Sequence, residues 1–218
     1  MKYLTKEWYE EMQITSFLLF PETKKDWEEN IAWHISEGLN FEELRRVELE
    51  YRKNDLLKFL PEPFHPYIHD GTLNSQFPSE ELRTMAEQWQ NEYDKRMSII
   101  RDEYSRYYLS IKDSLSENVV QFYQKSLHDA KVISVETPSE DIFIMTLDCS
   151  GGYHYHTNVQ ITFTGVKNLQ PPDLNVGSYW LYDEIYLTEA GFELHVLFDS
   201  PLMEFTIAAD NVIIEISS

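Results

Sequence analysis

The residues whose types could do chemistry are concentrated in one short string, Asp148-Cys149-Ser150-Gly151-Gly152-Tyr153-His154-Tyr155-His156. Two histidines two apart on a strand project from the same face, and a cysteine across a glycine turn could approach them. Thiolate and imidazole are ligands that zinc prefers, so Cys149, His154 and His156 form a candidate three-ligand zinc site. The spacing supplies neither a fourth ligand nor the outer hydrogen bonds that orient metal-binding histidines. The plainer reading is therefore a polar hairpin that holds no cofactor.

A second candidate is Asp183-Glu184, which follows Trp180-Leu181-Tyr182 in a strand, with Glu193 and His195 on the neighbouring strand. Paired carboxylates can divide acid and base roles when their environments differ. Strand alternation, however, puts Asp183 and Glu193 on the solvated face. There they read as part of an acidic, aromatic partner-binding surface made of Asp183, Glu184, Tyr186, Glu189 and Glu193. Two His-Asp pairs, His69-Asp70 and His128-Asp129, invite comparison with metal-dependent phosphohydrolases. Both pairs lie in or beside turns, where aspartate caps a chain reversal and histidine closes a helix end. The chain has no Gly-rich phosphate loop, no nucleophile elbow, no His-Glu-x-x-His and no Cys-x-x-Cys. No catalytic constellation is present, and the reading leans away from an enzyme.

The elements that must position these residues fall into two kinds. Up to about residue 127 the apolar period is 3.6. Thr5 can cap a first helix burying Trp8, Met12, Thr15 and Leu19, and a second runs from about Thr23 to Glu37, with Trp27, Ile31, His34 and Ile35 on one face and Gly38 as its stop. Asn40-Phe41-Glu42-Glu43 has the form of a capping box, and the helix it opens presents Leu44, Val47 and Tyr51 before stopping by Pro61. After Pro78-Ser79, the residues Leu82, Met85, Trp89, Tyr93, Ile100, Tyr104, Tyr107, Ile111 and Leu115 keep within about 60° of one direction. That is one long amphipathic helix, extending toward Leu127, against which the earlier helices pack antiparallel.

From Lys131 the period becomes 2. Seven short runs of β-branched and aromatic residues, separated by turns such as Ser150-Gly151-Gly152, Glu189-Ala190-Gly191 and Asp210-Asn211, predict an antiparallel meander, sandwich or half-open barrel. The fold class is α+β, with a helical region over 1–129 and an antiparallel β domain over 130–218.

Charge bounds the partners. The formal net charge is −20, and a field of that sign repels phosphate backbones, which argues against nucleic acid and favours a basic protein. The imbalance is steepest after residue 130, where Lys131 and Lys167 face thirteen Asp and Glu residues. A single cysteine, no signal-peptide run at Met1-Lys2-Tyr3-Leu4 and no long apolar stretch place the chain in the cytoplasm, with no membrane partner. Tyr104, Tyr107 and Tyr108 could extend the long helix's stripe beyond what one layer covers, which leaves a homodimer open.

Three strings carry a resemblance across essentially the whole chain. They are Met1-Lys2-Tyr3-Leu4-Thr5-Lys6-Glu7-Trp8-Tyr9-Glu10, the Leu127-His128-Asp129-Ala130-Lys131-Val132 junction, and Trp180-Leu181-Tyr182-Asp183-Glu184-Ile185-Tyr186 with Phe192-Glu193-Leu194-His195-Val196-Leu197. Together they resemble a Gram-positive bacterial family catalogued as domain of unknown function 4085. That family has no established activity, so the resemblance implies organisation and no mechanism. The C-terminal pattern is also similar in style to small immunity and antitoxin-like proteins of bacterial toxin systems. The reading favoured is a non-enzymatic interaction module taking a basic partner. The competing one is a small-molecule-binding or metal-dependent hydrolytic protein with Cys149, His154 and His156 as ligands.

Overall fold

A computed structural model describes residues 1–189 and 191–216. Ala190, expected in a turn, and Ser217 and Ser218, expected at the end of the β domain, lie outside them. The architecture is α+β: among the described residues, six α-helices precede eight strands joined into one antiparallel sheet. By contacts the chain divides into a helical unit, residues 7–99, and a second unit made of residues 1–6 and 100–218. The division passes through the long helix.

The helical unit holds α1 (Lys6–Ile14), α2 (Lys24–Ser36), α3 (Phe41–Phe59), α4 (His65–His69) and the first part of α5 (Glu80–Ile111). Thr23 opens α2 with a reciprocal capping box: its hydroxyl accepts the Asp26 N–H at 3.2 Å and its own N–H reaches the Asp26 carboxylate at 3.1 Å. Asn40 caps α3 by accepting the Glu43 N–H at 3.2 Å. The core of this unit is aromatic and leucine-rich, with Trp27 edge-on to Phe41 at 5.1 Å and Trp89 stacked on Tyr93 at 5.4 Å.

Three expectations about these helices fail. Leu19 is 74% exposed and Ile35 65% exposed, and α3 turns Phe41, Leu49 and Leu56 inward, not Leu44, Val47 and Tyr51. Helix α3 is apolar on two sides, and periodicity alone cannot say which side faces the core. The Leu49–Leu56 side wins because it is continuous with Phe41, which packs on Trp27.

The long helix exists but is shorter than expected. It covers 32 residues, about 48 Å at 1.5 Å per residue, and ends at Ile111. A 3₁₀ turn over Lys112–Ser114 follows, Leu115 and Ser116 are extended, and a separate α6 (Glu117–Gln124) begins. The break lets α6 insert Val119 and Phe122 into the β core, where the Phe122 ring stacks 6.3 Å from Phe163 and 6.1 Å from Trp180.

The strands are β1 (Lys131–Ser139), β2 (Ile142–Asp148), β3 (Asn158–Thr164), β4 (Asn168–Gln170), β5 (Tyr179–Thr188), β6 (Gly191–Asp199), β7 (Met203–Ala209) and β8 (Asn211–Ile216). Their order is β4-β7-β6-β5-β1-β2-β3-β8, all antiparallel, and the sheet does not close. The eighth strand, unforeseen, is the three-residue edge strand β4. β1 and β5 meet only at their starts, Lys131 opposite Tyr179, and from that corner two four-strand halves fold toward each other. Phe143 on β2 meets Phe205 on β7 at 5.7 Å, and Phe163 on β3 meets Phe192 on β6 at 6.3 Å. At the far side the turns converge. Val166 N–H bonds Asp141 O at 3.0 Å and Asp210 N–H bonds Thr164 O at 3.1 Å. Gly191, with φ of +120°, leaves no room for a Cβ, which would lie 2.2 Å from Ala209 O.

Candidate functional site: a buried carboxylate and its tyrosine shell

Strand β5 carries the acidic pair, and one extra residue decides where each carboxylate goes. Trp180 pairs with Phe198 and Tyr182 with Leu197, so Leu181 is a β-bulge. Beyond it the inward and outward positions exchange. Trp180 and Asp183, three apart, now face the same apolar core, while Glu184 and Tyr186 face the opposite side with their cross-strand partners His195 and Glu193.

Asp183 is therefore not on the solvated face. Trp180 Nε1 donates to Asp183 Oδ2 at 3.0 Å. The residue as a whole is partly buried but its carboxyl is withdrawn from water, and burial pushes its pKa up to about 7, opposed by the indole hydrogen bond and aided by the charge of Glu184.

Glu184 is fully buried, the one charged side chain in that class among the described residues. Its two oxygens accept the backbone N–H groups of Lys2, Tyr3 and Leu4 at 2.8, 2.8 and 2.5 Å, and the Tyr186 hydroxyl donates to the same carboxylate. Four donors on one carboxylate leave it no unmet demand, which is what makes burial of the group tolerable. The segment that supplies them leads into α1 and is packed by a tyrosine shell: Tyr3 lies 5.5 Å from Tyr104 and 6.4 Å from Tyr107, and Tyr107 lies 5.4 Å from Tyr186. Tyr104 OH accepts the Ile185 N–H at 3.0 Å. Burial raises the hydroxyl pKa of both Tyr104 and Tyr186.

Of the five residues expected to form an exposed patch, the structure scatters four into other roles. Asp183 faces the core, Glu184 is sealed, Tyr186 is half-buried against His195, and Glu193 Oε1 sits 2.5 Å from His195 Nε2. Glu189 alone is exposed, at the β5–β6 turn. Glu184 and the strap it holds could not have been paired from sequence, since the partners lie 180 or more positions apart. Trp180 did carry a signal for Asp183, because a buried indole N–H needs an acceptor.

The cysteine and histidines do not form the expected arrangement. His154 and His156 lie in the β2–β3 connection and not on a strand; both are exposed, with buried Tyr155 between them. His154 Nδ1 accepts the Ser126 N–H at 2.9 Å. Cys149 is buried, and burial, helped by the charge of Asp148, pushes its thiol up to about 11, so it keeps its proton at neutral pH. Among the described residues, no three His, Cys, Asp or Glu side chains gather in a way that could hold a metal ion. The two His-Asp pairs sit where the turn reading puts them. Asp70 follows the last turn of α4, and Asp129, at φ +68°, makes the reversal between α6 and β1.

The long helix, the folded-over sheet and the carboxylate-held strap define an α+β protein whose most elaborate polar site secures its own chain. The chain belongs to the family described as protein of unknown function DUF4085, whose model matches residues 3–209. That span takes in Tyr3 and Leu4 of the strap, the bulge and all but the last strand. No curated protein and no solved structure matches the chain. No helix is long and apolar enough to cross a membrane among the described residues.

Proposed function

We propose that this protein is a non-enzymatic interaction module, working in the cytoplasm, that engages a basic protein through the acidic turns of its β unit. The observation that carries the reading is the gathering of exposed Glu140, Asp141, Glu189 and Asp210 on the converging turns, where the one nearby cation, Lys167, is already paired with Asp210. Such a surface attracts a cationic partner at long range and selects against acidic ones. The fates of Asp183, Glu184 and Glu193 support the same view, since each carboxylate that might do acid–base work is engaged by an indole, by four donors or by a histidine. Of the residues first assigned to the contact, Glu189 remains.

The test compares two full-length variants of equal net charge. One carries Glu140→Lys, Asp141→Lys and Glu189→Lys; the other carries Glu28→Lys, Glu29→Lys and Glu37→Lys on the helical unit. Crosslinking in cells that express the protein should retain a basic partner with the wild type and the helical variant and lose it with the turn variant. Loss in both, or in neither, overturns the reading.

A further inference from the structure

We propose that α3 is a docking surface for a basic amphipathic helix, along the stripe Leu44, Val47 and Tyr51. These residues are 43%, 61% and 82% exposed and lie within about 60° of one another on the side of α3 opposite Leu49 and Leu56. A helix apolar on two opposite sides has one side more than its own unit uses, and positions i, i+3 and i+7 are the spacing by which one helix receives another. Beyond the N-terminus of α3, exposed Ile35 and Leu39 line a groove of about 560 Å³ with Phe41 and Glu42.

Charge decides the occupant. By helical angle, Glu43 and Glu50 flank one edge of the stripe and Asp55 the other, while Lys58, in line with the stripe, already bridges Glu7 at 3.2 Å and Glu10 at 3.3 Å. Glu50 and Asp55 do meet Lys53 and Arg52 at 3.0 and 3.5 Å, but as i,i+3 pairs at the surface, which are weak and exchange readily for an incoming cation. The Tyr51 ring already takes a guanidinium, with Arg52 5.6 Å from its centroid. A second copy in the same place would line up Glu43, Glu50 and Asp55 of both chains along one seam between molecules of net charge −20. A helix with an apolar stripe between lysines or arginines meets no such repulsion. This surface belongs to the helical unit, whereas the acidic turns belong to the other unit.

The experiment titrates full-length protein with a labelled synthetic Leu/Lys amphipathic helix of about 14 residues, ~21 Å long, and with a scrambled peptide of the same composition that spreads its leucines around the helix. The comparison protein carries Leu44→Ser, Val47→Ser and Tyr51→Ser, which leave its charge unchanged; because these positions are exposed, its circular dichroism should match the wild type. We expect anisotropy to show about tenfold weaker binding of the amphipathic peptide by the variant, a difference of about 1.4 kcal/mol, and the scrambled peptide to bind both proteins alike. Equal affinity of the amphipathic peptide for the two proteins overturns the proposal. So does a wild-type dimer by light scattering that the triple variant converts to monomer, which would make a second copy the occupant.

Discussion

At the scale of single residues, Asp183 and Glu184 show how neighbours with the same chemistry acquire opposite characters. Donors surround Glu184, so Glu184→Gln replaces an acceptor-only group by an amide whose NH₂ faces other donors. We expect it to cost about 2–4 kcal/mol of stability, read by urea unfolding, with faster hydrogen exchange at Tyr3 and Leu4. A cost near zero would mean the strap is held by its tyrosines. Asp183 has the reverse problem. Its carboxyl ionises near 3.8 in the unfolded chain and about 7 when folded, so the folded state binds more protons in between and stability falls as pH rises from about 4 to about 7. Asp183→Asn keeps an acceptor for Trp180 and removes the titration. The variant should match the wild type below pH 4 and exceed it above pH 7 by about 1–4 kcal/mol; parallel curves across that range would contradict the assignment. These roles were half legible beforehand. That Asp183 and Glu184 were worth singling out followed from residue type, but their directions did not, because strict alternation holds only while every residue is paired and Leu181 is not.

At the scale of elements, the change of period from 3.6 to 2 was enough to place helices before strands, since it reflects which backbone geometry buries a given spacing of apolar side chains. It was silent on two counts. Periodicity names an apolar face without naming what covers it, hence the inverted reading of α3, and it runs on through Leu115 without seeing that Val119 and Phe122 are needed elsewhere. Turn chemistry carried more. Gly191 is a case where sequence and geometry demand the same residue: with φ at +120° and Ala209 O where a Cβ would be, Gly191→Ala should destabilise by about 2–4 kcal/mol. Gly151→Ala, in open space, should stay within about 0.5 kcal/mol. Thermal melts of both variants check this, and equal losses would show that the close approach at the β5–β6 turn does not set the cost.

For the whole molecule, a net charge of −20 over 218 residues is a repulsive field that folding concentrates. Salt screens it, with a Debye length of about 10 Å at 0.1 M and about 3 Å at 1 M. The melting temperature should therefore rise between low and moderate sodium chloride, on the order of 2–4 °C for each kcal/mol of repulsion relieved at this size. A melting temperature that falls with salt would mean that bridges such as Lys58 to Glu7 and Glu10 outweigh the repulsion. The strap has a consequence in time as well. Lys2, Tyr3 and Leu4 are made before the carboxylate that receives them, which is encoded about 180 residues later. At about 5–20 residues per second, this segment waits on the order of ten to forty seconds for its receptor. Residues made long before Glu184 are thus fixed only after it, and their docking marks the completion of β5.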